Sequence, residues 1–252
     1  MGDKTKRHLP VALKPFNDPA MAVHELWGYS HILELGVHTY TPIGAFPAKE
    51  GDHYIFVTAK DDGLVSLDQT LWVPTSAICD EFSAEIAQKN ISTVARIAEL
   101  IAYLNINGIF LPDGQIKNFV ENPFELIGAI DFEKATKVDI EHVDTFDMVW
   151  ENVEKLIKSL VFKTDIKAIN DTPGSEEPDK IFGVGMLHDM PTEQVRNFAV
   201  TVIINNYLNS LDENAISMDT ENAYRYADFI RKRFLERLAN DNSWPSHIVR
   251  AS

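Results

Sequence analysis

His53-Tyr-Ile-Phe-Val-Thr-Ala59 is the clearest β-strand pattern in this 252-residue chain. It is followed by Lys60-Asp61-Asp62-Gly63 and then by a second β-favouring run from Leu64 to Val73. An Asp-Gly pair between two such runs is typical of a hairpin turn, because glycine adopts the positive φ that the turn requires. The sequence therefore predicts a hairpin over 53–73.

The segment upstream of this hairpin predicts one short helix and a further strand. Asn17-Asp18-Pro19 is a helix-start pattern, since proline suits the first helical position, and the predicted helix runs to about Trp27. Between Tyr29 and Thr41 the side chains alternate as in a strand with two distinct faces. The first part of the chain is therefore predicted to be β-rich.

Beyond Pro74 the apolar residues recur every three to four positions, which is the spacing of helices. Ser92 and Asp144 are candidate N-caps, because their side-chain oxygens can accept hydrogen bonds from the first turn. The strongest helical patterns lie at 145–162, 192–210 and 219–239. The predicted fold class is α+β, with a small β-rich N-terminal part that contains a hairpin and a mainly helical C-terminal part.

The same patterns predict the organisation of the chain into regions. Residues 170–180 are rich in Pro, Gly, Ser and acidic side chains, which is typical of an exposed loop or linker. The predicted regions are a β-rich region at 1–74, a helical region at 75–169, the linker at 170–180 and a helical C-terminal region at 181–252.

Composition restricts the classes of partner. The chain has 23 Lys and Arg against 38 Asp and Glu, a formal net charge of -15, which opposes direct binding to nucleic acid. The single Cys79 excludes an intrachain disulfide and suits a reducing compartment. No apolar run reaches the length of a membrane span, and the polar start from Met1 to His8 does not resemble a signal peptide. We therefore expect no membrane partner and a cytoplasmic protein, or one incorporated in a virus particle assembled in the cytoplasm.

The familiar catalytic motifs are absent from the sequence. It contains no P-loop, no dinucleotide-binding fingerprint and no Gly-x-Ser-x-Gly elbow, so we predict no catalytic site, no cofactor and no bound metal. His24, His31 and His38 are spaced by seven, but the intervening glycines favour three separate imidazoles over one ligand set. The acidic residues between Asp131 and Glu154 are interpreted as a solvated surface.

Opposite charges are concentrated in different parts of the chain. The acidic segment from Asp131 to Glu154 contrasts with a basic N-terminal arm and a basic face on the last predicted helix. Such a distribution favours head-to-tail contacts between copies, which close into rings or continue as filaments. The predicted interaction residues are Lys4, Lys6, Arg7, Arg225, Arg231, Lys232, Arg233 and Arg237.

These features together predict a non-enzymatic structural or assembly protein. Its partners would be copies of itself and other proteins of an assembly, and the specific hypothesis is a virus or phage particle component such as a connector or tail-associated ring. Two alternatives remain. One is a metal-dependent hydrolase that uses His188 and Asp189, although a metal site needs further ligands from elsewhere. The other is a nucleic-acid-associated accessory protein.

Overall fold

The structure is a computed structural model, and it describes residues 10–48, 53–59, 63–74, 81–141, 144–161, 180–182 and 192–240. The chain divides into two units. The first unit comprises Met1–Val65 and Val120–Ala135, and the second comprises Ser66–Phe119 and Thr136–Ser252. The predicted domain ranges stay a prediction, and most of the predicted linker lies outside the described residues.

The helices and strands are numbered here in chain order. The first group is β1 (Val11–Phe16), α1 (Pro19–Glu34), β2 (Thr41–Pro47), β3 (Tyr54–Ala59), β4 (Val65–Ser66), α2 (Leu67–Thr70) and β5 (Trp72–Pro74). The middle group is α3 (Glu81–Ile106), β6 (Ile109–Phe110), β7 (Phe119–Glu121), β8 (Ile127–Ala129) and β9 (Thr136–Lys137). The last group is α4 (Phe146–Val161), β10 (Lys180–Phe182), α5 (Thr192–Phe198), α6 (Asn205–Met218) and α7 (Glu221–Ala239).

The first unit contains an antiparallel sheet of order β1-β3-β2 with α1 packed against it. Side chains alternate along β1, so that Phe16 is buried while Leu13 is exposed. Tyr29 of α1 contacts Phe56 of β3, with 5.2 Å between the ring centroids. Burial of these aromatic side chains holds the helix on one face of the sheet.

Helix α1 begins where the sequence predicts, because the Asp18 carboxylate accepts a hydrogen bond from the N–H of Ala20 at 2.8 Å. It continues to Glu34, however, so the strand predicted between Tyr29 and Thr41 is wrong over its first part. The buried positions follow helical spacing: Ala22, Glu25, Gly28, Tyr29 and Ile32. This buried stripe outweighs the local alternation on which the strand prediction rested.

The hairpin lies one strand earlier than predicted. The first predicted strand is β3, but β3 pairs with β1 and β2 rather than with the run from Leu64 to Val73. That run instead contains β4, the single turn α2 and β5. Leu64, Leu67 and Leu71 are buried at helical spacing. The second half of the predicted hairpin is therefore wrong, because a helical turn interrupts this run and β3 is paired on both sides by other strands.

In the second unit, α3 is one helix of 26 residues that continues through Ser92, so the N-cap predicted at Ser92 is wrong. It packs against α6, and Asn105 donates a hydrogen bond to the buried Tyr207 hydroxyl at 3.1 Å. Beyond α3 the chain turns at Gly108, with φ +74, as the Asn-Gly pair predicts. The apolar face of α3 is thus buried along its C-terminal half.

The remaining predicted helices are confirmed. The Asp144 carboxylate accepts a hydrogen bond from the N–H of Phe146 at 3.0 Å and caps α4. A π-helical segment, Ala199–Ile204, joins α5 to α6, and its apolar residues are largely buried as expected. The buried stripe of α7 consists of Ala223, Tyr226, Ala227, Ile230 and Phe234. The predicted α+β class is therefore confirmed, with a small N-terminal antiparallel sheet and a mainly helical C-terminal part.

Candidate functional site

The first unit contains an ion cluster centred on Lys14 of β1. The Lys14 Nζ atom lies 3.4 Å from Glu25 Oε1 and 3.2 Å from Glu133 Oε2, and it also donates a hydrogen bond to Asp131 Oδ1. We call these four residues the Lys14 cluster. When all are ionised, one positive and three negative charges give the cluster a net charge of -2.

Two elements bring Lys14 and Glu25 together. Lys14 shares a face of β1 with Ala12 and Phe16, since side chains two apart in a strand point the same way. Glu25 belongs to the buried stripe of α1, and only 1% of its side chain is exposed. A carboxylate buried to this degree needs a partner, and Lys14 supplies the opposite charge.

The two other carboxylates come from the segment that follows β8. The N–H of Ala129 donates to the carbonyl of His38 at 3.1 Å, which fixes the end of β8. Asp131 then adopts a positive φ of 67°. Two residues later Glu133 reaches the same ammonium group as Asp131. The segment therefore presents two acidic side chains to Lys14.

Phe132 anchors this segment between the two acidic residues. Its ring is buried and meets Tyr29 edge-on, with 4.7 Å between centroids. A Cβ atom at Gly28 would lie 2.3 Å from the Cβ of Phe132, so glycine is required where the segment crosses α1. Packing of an apolar residue thus holds Asp131 and Glu133 at Lys14.

The environment shifts the pKa values of the buried members. Burial raises the pKa of Glu25 to about 7, against the opposing attraction of Lys14. Burial lowers the pKa of Lys14, but the hydrogen bond to Asp131 and the nearby carboxylate charges outweigh it, and the pKa lies above its usual value. Lys14 therefore stays charged at neutral pH.

A cavity of about 210 Å³ lies beside the cluster within the first unit. Its lining includes Lys14, Glu25, Tyr29, Phe56, Thr58 and Asp131. The cavity joins aromatic walls to a charged end, an arrangement that suits a ligand with one flat apolar part and one ionic part. Its volume is enough for a portion of such a ligand.

The second unit holds a different polar loop between β6 and β7. The side-chain amide of Asn118 donates to the carbonyl of Asp113 at 2.7 Å, and Gln115 donates to the Asp113 carboxylate at 2.6 Å. Asn152 of α4 braces the loop, accepting from the N–H of Leu111 and donating to its carbonyl at 2.6 Å. The loop therefore fixes a half-buried carboxylate, Asp113, next to a buried amide.

Sequence reasoning missed both of these polar sets. Asp131 and Glu133 were assigned to a solvated acidic surface, and Lys14 was not considered. The patterns that could have found them are Val11-Ala-Leu-Lys14 on a strand, Asp113-x-x-x-x-Asn118 and Asp131-Phe132. Each is short enough to occur by chance, and the contact between Lys14 and Asp131 brings the first and the last of them together.

The predicted interaction residues of α7 contact their own chain. Arg225 donates to Asn222, Arg231 pairs with Asp212, Arg233 lies over Phe146 and Arg237 lies over Trp150. Lys232 is exposed. Lys4, Lys6 and Arg7 lie outside the described residues, as do His188 and Asp189. The interaction role of the basic residues stays a prediction.

The histidines are distributed differently from the expectation. His24 and His31 lie on one helix because α1 continues through Gly28, and both flank Trp27, with ring centroids 5.1 Å and 4.6 Å away. His38 lies beyond the helix and is exposed. Within the described ranges, no group of three or more His, Cys, Asp or Glu side chains is placed to hold a metal ion. Of the described helices, none is long and apolar enough to cross a membrane.

Comparisons with known proteins give similarity to solved structures but to no described family. No protein family matches the sequence, and no curated protein matches it either. Among solved structures, the chain is similar to one described as a divergent kinase that lacks the glycine-rich loop and regulates membrane ultrastructure of the Toxoplasma parasitophorous vacuole. The two are 13% identical with a TM-score of 0.36, over 77% of this chain and 74% of the other.

The predicted assembly function is wrong, because this similarity is to a divergent kinase and not to a virus or phage particle component. The prediction rested on complementary charges that would meet between copies. In the structure, Arg231 forms an ion pair with Asp212 of the same chain. The two alternatives are not tested by the structure, since His188 and Asp189 lie outside the described residues.

Proposed function

We propose that this protein binds a nucleoside triphosphate and transfers its terminal phosphoryl group, in the manner of protein kinases. The observation that carries the proposal is the Lys14 ammonium, which is paired with Glu25 of the following helix and bonded to Asp131. In protein kinases, the lysine of a Val-Ala-Ile-Lys strand contacts the phosphates and pairs with a helix glutamate. This chain has Val11-Ala-Leu-Lys14 at that strand.

The loop of the second unit supplies matching residue types at the matching spacing. Asp113 and Asn118 are five apart, as in the catalytic His-Arg-Asp-x-x-x-x-Asn loop, although Leu111 and Pro112 stand where that loop has His and Arg. In this role the Asp113 carboxylate would accept the proton of an attacking hydroxyl. The side-chain amide of Gln115 donates to this carboxylate and would orient it, while Asn118 donates to the main-chain carbonyl of Asp113.

The residues fit a magnesium ion bound together with a nucleotide. Mg²⁺ in such sites uses one or two carboxylates plus substrate phosphates rather than a cage of protein ligands. The Asp131 carboxylate, beside Lys14, is partly exposed. It would be the protein ligand that this mode of binding needs. When bound, the ion would neutralise charge on the phosphoryl oxygens.

One departure from the kinase pattern affects how the phosphates would be held. Glu133 stands where the Asp-Phe-Gly motif has glycine. We also propose a cytoplasmic location, because the cytoplasm supplies ATP and its reducing conditions suit the single Cys79.

Calorimetric titration of the full chain with ATP and Mg²⁺ tests the proposal. We expect binding that Lys14→Met or Asp131→Asn weakens by about tenfold or more, which corresponds to about 1.4 kcal/mol. Lys137→Met, at an exposed lysine of β9, is the matched control and should bind as the unaltered protein does. Asp113→Asn should keep ATP binding and lose phosphoryl transfer from γ-labelled ATP. Equal affinity in the Lys14 and Lys137 variants would contradict the proposal.

A further inference from the structure

The Lys14 ammonium group is fully occupied. It has three protons to donate, and oxygen atoms of three carboxylates lie 3.4 Å or less from its nitrogen. Glu25 and Asp131 are the partners that the proposed function requires. Glu133 is an additional partner. It occupies an N–H of the Lys14 ammonium group that would otherwise be able to donate to a phosphate oxygen.

Glu133 is the partner best placed to leave. It occupies a turn that closes with the N–H of Ala135 donating to the carbonyl of Phe132 at 3.0 Å. Its side chain is 29% exposed, whereas that of Glu25 is 1% exposed. Asp131 is 33% exposed, but its Oδ1 accepts a hydrogen bond from Lys14. Rotation of the Glu133 side chain into water therefore leaves the buried Phe132 anchor unchanged.

The charge of the Lys14 cluster also opposes an anionic ligand. A phosphate would meet three carboxylates around a single cation, and like charges at a separation of a few ångströms repel strongly where water is partly excluded. Removal of the Glu133 contact would both free a donor of Lys14 and lower this repulsion.

We infer that Glu133 is an inhibitory group, which occupies Lys14 and must leave it before the phosphates of a nucleotide can bind there. This inference rests on the proposed function. It assigns to Glu133 a regulatory contact with Lys14, separate from the contacts of Glu25 and Asp131. The protein as described is then the form with low affinity for nucleotide.

The test is calorimetric titration with ATP and Mg²⁺ of the full chain and of two variants, Glu133→Gln and Glu133→Gly. Both should bind ATP at least about tenfold more tightly than the unaltered chain, since each removes one negative charge near the phosphates. Glu34→Gln is the matched control. It removes the same charge from an exposed site on α1, nine residues or about 13 Å along the helix from Glu25, and should leave the affinity unchanged.

The outcomes separate the two proposals. Tighter binding in both Glu133 variants, with no change in Glu34→Gln, supports the inhibitory contact. Binding by the unaltered chain with no gain in either Glu133 variant overturns this inference and leaves the proposed function standing. Absence of ATP binding in every variant overturns both. Circular dichroism and thermal unfolding establish that each variant is folded, and the two different replacements guard against a local effect of one of them.

Discussion

Gly28 lies inside α1, where a glycine normally weakens a helix by about 1 kcal/mol relative to alanine. Here the missing side chain makes room for Phe132, whose Cβ would lie 2.3 Å from a Cβ at position 28. We predict that Gly28→Ala lowers the free energy of unfolding by about 1–3 kcal/mol, because overpacking outweighs the gain in helix propensity.

Urea unfolding measures this change. Val23→Ala, at an exposed position of the same helix, is the control and should shift stability by less than about 0.5 kcal/mol. A Gly28→Ala protein at least as stable as the original would show that Phe132 does not need this close approach to α1.

Glu25 should make stability depend on pH in an unusual direction. Its pKa is raised from 4.5 to about 7 in the folded protein, so the folded state binds this proton more tightly than the unfolded state does. Its contribution is therefore most favourable below about pH 4.5 and is lost as the pH rises from 4.5 to 7. A tenfold difference in proton affinity between the folded and unfolded states corresponds to about 1.4 kcal/mol of stability.

Unfolding midpoints in urea at several pH values between 5 and 7.5 test this dependence. Other groups titrate in the same range, so the comparison is with Glu25→Gln, which keeps the shape and loses the titration. We expect stability to decline less with rising pH in the variant. Parallel pH profiles for the two proteins would mean that Glu25 is ionised throughout this range.

At the scale of the element, α7 illustrates how much one terminal hydrogen bond contributes. The Thr220 hydroxyl oxygen accepts from the N–H of Ala223 at 3.2 Å and caps the helix. Thr220→Ala should lower the free energy of unfolding by about 1 kcal/mol. The same replacement at Thr201, an exposed threonine of the π-helical segment, is the control with little expected effect. An equal loss in both variants would show that the cap has no special role.

Helices with one buried face and a local cap could be predicted from the sequence. The stripe of α7 and the Asp144 cap of α4 are set by residues within a turn or two of each other. The extension of α1 could not be predicted in this way. It depends on Phe132, which is remote in sequence and packs where Gly28 leaves room. Short-range alternation after Tyr29 therefore gave the wrong element.

The predicted pairing of the strands was wrong for a similar reason. A turn sequence such as Asp61-Asp62-Gly63 favours a hairpin locally, but β3 is already paired on both sides by β1 and β2. Partners of a strand are selected by burial of whole faces, which a local pattern does not contain. The class of the fold was accessible from the sequence, and the register of its sheet was not.

At the scale of the whole molecule, the candidate site could not be recognised from the sequence, because its residues are distant along the chain. Lys14 and Asp131 are separated by 117 positions, and neither stands in a motif long enough to exclude chance. Net charge misled the functional prediction further. A value of -15 describes the molecule as a whole, whereas three of its carboxylates are directed at one partly buried lysine.

The discontinuous first unit has a consequence for biosynthesis. Its sheet and α1 are made early, but Asp131, Phe132 and Glu133 leave the ribosome 117 or more residues after Lys14. At about 5–20 residues per second this interval lasts roughly 6 to 23 s. During that time the nascent chain carries Glu25 and Lys14 without their later partners, and the face of α1 around Gly28 is uncovered. This unit therefore cannot be completed co-translationally until the first segment of the second unit, Ser66–Phe119, has been synthesised.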